Sequence, residues 1–128
     1  MGTKPLIEVS LRKYEPPTEN FRKNLRFFLL SIGIIRPGDA DSLAEKLFFE
    51  ILSTREGVTV SEIAKKFGVS ESAVRYHITK LKELRLIEGR GKYRIAEGDL
   101  QIAFLIFKRY VIGEILDRIE EYVRKLTE

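Results

Sequence analysis

A mainly α fold carrying one small β-hairpin is predicted by three features of this 128-residue sequence. Apolar residues recur at helical spacing through most of the chain. Capping residues and glycines punctuate those runs. Two short β-prone runs flank the turn-forming triplet Gly89-Arg90-Gly91.

The first segment, Leu6 to Leu11, alternates Ile7, Val9 and Leu11 with polar residues, the pattern of a short strand or extended arm. Pro16-Pro17 ends it. Thr18 then stands where it can cap a helix whose apolar positions are Phe21, Leu25, Phe28, Leu29 and Ile32. Gly33 and Pro37-Gly38 close that helix. Asp41 is the expected cap of a second helix with Leu43, Leu47, Ile51 and Leu52 as its buried stripe and Gly57 beyond its end.

A third helix begins near Val60. Thr59 and Glu62 are spaced to cap each other's backbone donors, and Ile63, Ala64 and Phe67 form its inner face. Gly68 supplies the left-handed residue that leaves the helix, Val69 plugs the turn, and Ser70 caps the next helix. That fourth helix, about 71–85, buries Val74, Ile78 and Leu81 at i, i+4 and i+7 and turns a polar face outward. Strands Leu86 to Glu88 and Lys92 to Ile95 follow, and a long helix from about Leu100 to Leu126 ends the chain.

Composition narrows the chemistry. No cysteine is present, so disulfides and thiolate metal sites are excluded. With one histidine, His77, an imidazole-rich metal site is not expected, and no phosphate-cradling GxxxxGK[ST] loop occurs. A nucleophile needs a base within reach, and none is suggested, so neither enzymatic activity nor a cofactor or metal is expected. Phe27 to Ile35 and Ile102 to Phe107 are too short to span a bilayer, and Met1 to Tyr14 lacks the apolar run of a signal peptide. A cytoplasmic protein without membrane contact is expected. The charged content of 33%, with no Cys or Trp and one Met, fits a thermophile's protein.

The net charge of +4 is unevenly distributed. From Val58 to Ile95 nine basic residues face four acidic ones, a local excess of +5, so the rest of the chain carries −1. Such concentration is the footprint of a phosphate-binding surface. A helix, a tight turn and a second helix with a polar, partly basic face fit the DNA major groove, and a hairpin with an arginine at its tip can reach phosphates or the minor groove.

The run SEIAKKFGVSESAVRYHITKLKEL, Leu86-Ile87 and the GRGKYRI hairpin resemble the winged helix-turn-helix of bacterial and archaeal transcription regulators, the ArsR-like superfamily and related small repressors. The likeness covers roughly Leu43 to Ile95. It implies a three-helix core plus a two-stranded wing, with additional N- and C-terminal helices. It also implies a sequence-specific regulator of double-stranded DNA, with the recognition helix (about 71–85) in the major groove and the wing (about 88–95) on backbone or minor groove. Carried over by position, Ser72, Arg75, Tyr76 and Thr79 fall where such regulators touch bases or phosphates. Ser70 falls on the helix cap, Lys80 further along towards backbone phosphate, and Arg90 and Lys92 on the wing.

Blander readings stand beside these. Arg75 can read guanine, anchor a phosphate, or simply pair with Glu71 four residues earlier. His77 sits on the rim of the buried stripe, the place of a packed structural histidine. Lys65 and Lys66 suit a solvated face. The alternative for the whole chain is a winged-helix protein-interaction module in a transcription or replication assembly.

The expected layout is a single domain. Residues 1–40 form an arm and helix for dimerisation, 41–96 the DNA-binding core, and 97–128 a second dimerisation helix. Residues 100–116 are apolar around most of the helix circumference and should be buried on several sides. Ile112, Ile115, Ile119, Tyr122 and Leu126 continue at heptad spacing, which suits a two-fold helix pair. A homodimer is therefore expected, the alternative being a monomer in which the two terminal helices pack on each other.

Overall fold

Side-chain caps set where most of the helices begin. The computed structural model describes residues 2–39 and 42–128. Two compact units divide the chain, Met1–Phe49 and Glu50–Glu128.

In the first unit an extended arm leads to helix α1 (Phe21–Ser31). The alternation at Leu6 to Leu11 yields no ladder strand; the arm is held by single contacts, with Arg12 N donating to the Ser31 carbonyl at 2.9 Å. Gly33 (φ +77°) lets the arm approach closely, because a Cβ there would lie 2.9 Å from Ser10. Thr18 does not cap α1. The Asn24 side chain reaches back to both the amide and the carbonyl of Thr18, closing a turn before the helix starts. The cap passes to Asn20, whose extended backbone lets Oδ1 accept from Lys23 N at 2.9 Å. Leu25, Leu29, Leu30, Ile32 and Ile35 are buried, whereas Phe21, expected inside, is 56% exposed. Helix α2 (Leu43–Leu52) buries Ala44, Leu47, Phe48 and Ile51. Asp41, its expected cap, lies outside the described residues. An ion pair of 2.7 Å joins Arg26 of α1 to Glu45 in the first turn of α2.

The second unit holds strand β1 (Val58–Thr59), helices α3 (Val60–Phe67) and α4 (Glu71–Glu83), and strands β2 (Ile87–Arg90) and β3 (Lys92–Ile95). The strands form an antiparallel sheet in the order β1-β3-β2. Thr59 and Glu62 make the expected reciprocal cap on α3, and these hydrogen bonds hold the Glu62 carboxyl below its ordinary pKa. Gly68 (φ 62°) ends α3 in the left-handed region, Val69 N donates to the Ala64 carbonyl, and Ser70 Oγ accepts from Ala73 N. The winged helix-turn-helix fold is thus present. Its sheet has three strands, because Val58 and Thr59 pair with Tyr93 and Lys92. α4 stops at Glu83, and Arg85 takes a left-handed φ of 61° that turns the chain into β2. Ile63, Val74, Ile78, Leu81, Leu84, Leu86, Ile87 and Ile95 form the core, each stabilising the fold by about 1.5–3 kcal/mol.

A 3₁₀ turn (Ala96–Gly98) leads to α5 (Leu100–Ile106), capped by Asp99 Oδ1 on Gln101 N and Ile102 N. The expected single helix is interrupted by a π-helical turn (Phe107–Ile112) before α6 (Gly113–Leu126). Ala103, Phe107 and Val111 are buried at four-residue spacing. Four residues overshoot one α-turn, and the wider π turn takes up the surplus, keeping these side chains inward. The burial expected on several sides of this stretch is not found: Ile102, Phe104, Leu105 and Tyr110 are exposed. α6 buries nothing and shows Leu116, Ile119, Tyr122, Val123 and Leu126 to solvent. Among the described residues no helix is long and apolar enough to cross a membrane.

Candidate nucleic-acid interface

Packing of α4 through Val74, Ile78 and Leu81 leaves the opposite face outward. Ser72, Arg75, Tyr76, Thr79 and Lys80 are all exposed there. Their spacing (i, i+3, i+4, i+7, i+8) makes one stripe along the helix. Tyr76 is 63% exposed, with its ring edge-on to His77 at 5.2 Å, so its hydroxyl is presented rather than packed. Ser70 stands at the head of the stripe. Its hydroxyl is used on Ala73 N, so what it can offer a partner is the positive end of the helix around it.

Arg75 and Glu71 form a 3.0 Å ion pair on the helix surface. His77 is half-buried, and burial, followed by the charge of Lys80, pushes its pKa below the ordinary value. It is therefore held neutral beside a basic stripe.

The wing is built to a tight turn. Arg90 pairs with Lys92 across Gly91, and Gly89 pairs with Tyr93. Gly89 has φ 126°, and a Cβ on it would collide with the Lys92 carbonyl, so no other residue fits that position unstrained. Arg90 and Lys92 therefore sit together at the tip, both exposed.

Ion pairing sorts the basic side chains. Lys66 is paired with Glu50 at 2.8 Å, Arg75 with Glu71, and Arg94 with Glu88 at 3.1 Å. Among the described residues Lys80, Arg90 and Lys92 make no ion pair, although the Lys92 charge acts at longer range on the Glu62 carboxylate, so unbridged positive charge lies on the outer end of α4 and the wing tip.

Two braces were not legible beforehand. Lys82, counted in the sequence only as positive charge, donates its Nζ to the Gly89 carbonyl at 3.1 Å and lies 5.5 Å from the centre of the Tyr93 ring. Glu88 accepts from Glu97 N at 3.0 Å and from Arg94 Nε at 3.1 Å. The Glu97 amide above all, and then Arg94, hold its carboxyl below the ordinary pKa. Only an i to i+7 spacing hinted at the first contact, and nothing local hinted at the second.

Comparison with known proteins agrees with this architecture. Residues 48–90 match a family model described as a helix-turn-helix domain. The chain is 47% identical over 84 residues to the HTH-type transcriptional regulator LrpA of Pyrococcus horikoshii. That match covers 66% of this chain and 57% of the relative, so the chain spans little more than half of that protein's length. No solved structure matches. The chain carries a helix-turn-helix domain of the kind found in transcription regulators.

Proposed function

From this helix-turn-helix domain, we propose that the protein is a sequence-specific double-stranded DNA-binding transcriptional regulator that acts as a homodimer in the cytoplasm. The observation that carries the reading is the shared exposure of the Ser72–Arg75–Tyr76–Thr79–Lys80 stripe with Arg90 and Lys92 at the wing tip. α4 enters the major groove, where Arg75 reads a base edge and Ser72, Tyr76 and Thr79 contact bases or phosphates. Ser70 at the helix cap and Lys80 along the helix anchor the backbone, and Arg90 and Lys92 follow the strand beside the groove.

The dimer part of the reading is supported by the exposed apolar stripe of α6. A monomer that leaves Leu116, Ile119, Tyr122, Val123 and Leu126 in water forgoes burial worth about 1.5–3 kcal/mol per large side chain. Residues 1–40 and 97–128 supply the pairing surfaces and residues 41–96 read DNA. Two copies present their recognition helices about 34 Å apart, one turn of duplex.

Binding to random duplex, titrated with salt, tests the DNA reading. Binding at low salt that weakens steeply as salt rises is expected. No binding at any salt would instead favour a winged helix that docks on another protein.

A further inference from the structure

We infer that Lys82 is a positioning residue that sets the wing against α4, and not one of the phosphate anchors its charge and place on α4 suggest. The inference rests on the DNA-binding reading above. Lys82 lies in the last turn of α4, seven residues before Gly89. Its ammonium is committed inward along the surface: Nζ donates to the Gly89 carbonyl at 3.1 Å, and the Tyr93 ring lies 5.5 Å away.

The sheet order explains why the acceptor is there. β2 is an edge strand, so one row of its backbone groups has no strand partner. Lys82 supplies a donor to that row at a position only glycine fits, since Gly89 has φ 126° and a Cβ there would collide with the Lys92 carbonyl. Arg90 follows Gly89 directly and Lys92 sits opposite Arg90. Fixing the Gly89 carbonyl to α4 therefore fixes where both wing-tip cations project relative to the Ser72–Lys80 stripe. The Tyr93 contact holds the same point from β3. At its base the wing is tied separately, through Glu88 to Arg94 and the Glu97 amide. Without Lys82 the tip hinges on that base.

The test compares Lys82→Met, which keeps the apolar stem, with Lys82→Arg, which restores a donor, in the full chain. Affinity for a selected duplex should fall about fivefold in K82M, the scale of one lost hydrogen bond. The slope of log affinity against log salt should stay at the wild-type value, because no phosphate contact is lost. In the free protein, ¹⁵N order parameters at Gly89 to Lys92 should drop in K82M and recover in K82R together with affinity. A slope that falls by about one unit in K82M identifies a phosphate anchor and overturns the inference. So does a K82M protein with unchanged affinity or an equally ordered wing. Wild-type protein that binds no duplex overturns the DNA reading and this role with it. That outcome is distinct from failure of the brace, in which the wild type binds and the variants behave as anchors or as silent changes.

Discussion

Arg75 reaches back along α4 to Glu71, its terminal nitrogen 3.0 Å from the carboxylate oxygen. Both side chains are about half in water, at 61% and 48% exposure, so the pair is screened and contributes little to stability. It does two things at low cost. It holds the guanidinium against the helix surface, and it partly neutralises the Glu71 carboxylate, which in the proposed docking would face phosphate. A guanine edge can take Arg75 from Glu71 cheaply, because an exposed i,i+4 pair is worth only a few tenths of a kcal/mol.

Arg75→Ala is therefore expected to relax preference at one base position, at a cost of about 1–3 kcal/mol on the preferred site. Competition binding against single-base variants of that site measures this. An equal loss on every sequence would make Arg75 an anchor and leave base reading to its neighbours.

Arg90 stands at the wing tip and among the described residues makes no ion pair. Arg90→Ala should weaken binding to all sequences and lower the salt slope by about one unit. A slope equal to that of the wild type would mean that the wing tip does not touch phosphate.

The capping logic of α3 and α4 was readable in advance because each cap lies within three residues of the donor it satisfies. Thr59, Glu62, Gly68 and Ser70 all do what their spacing predicts. β1 was not readable: two residues are too few to show alternation, and their partners Tyr93 and Lys92 lie more than thirty positions away. The π turn at Phe107–Ile112 was hidden for a different reason. In a stretch apolar on nearly every side, a shift of register leaves no mark on the pattern, and only the burial of Ala103, Phe107 and Val111 reveals it. Thr18 lost the cap to Asn20 through a reach-back from Asn24, a competition between side chains that single-position preferences do not weigh.

His77 links pH to stability. Its pKa is lowered in the folded chain, chiefly by burial, so between that value and the unfolded one of about 6.5 the unfolded state binds more protons. Stability is then fully present above the unfolded pKa and is lost as pH falls through this window. The melting temperature should drop more between pH 7.5 and pH 5.5 in the wild type than in His77→Gln. Parallel pH profiles would show that His77 titrates freely.

Ile119 lies mid-stripe on α6 and is 51% exposed in the single chain. Ile119→Asp should leave the helical circular dichroism intact and convert a dimer of about twice the 14.8 kDa chain to monomer in sedimentation. A wild-type protein that already sediments as monomer at micromolar concentration would remove the pairing role given to α6.

The most direct measurement is selection of bound duplexes from a random pool by the full chain. One enriched, pseudo-palindromic motif is expected, its half-sites centred about 10–10.5 base pairs apart, one turn of DNA. A pool that remains random after repeated rounds would contradict sequence-specific reading by the Ser72–Lys80 stripe.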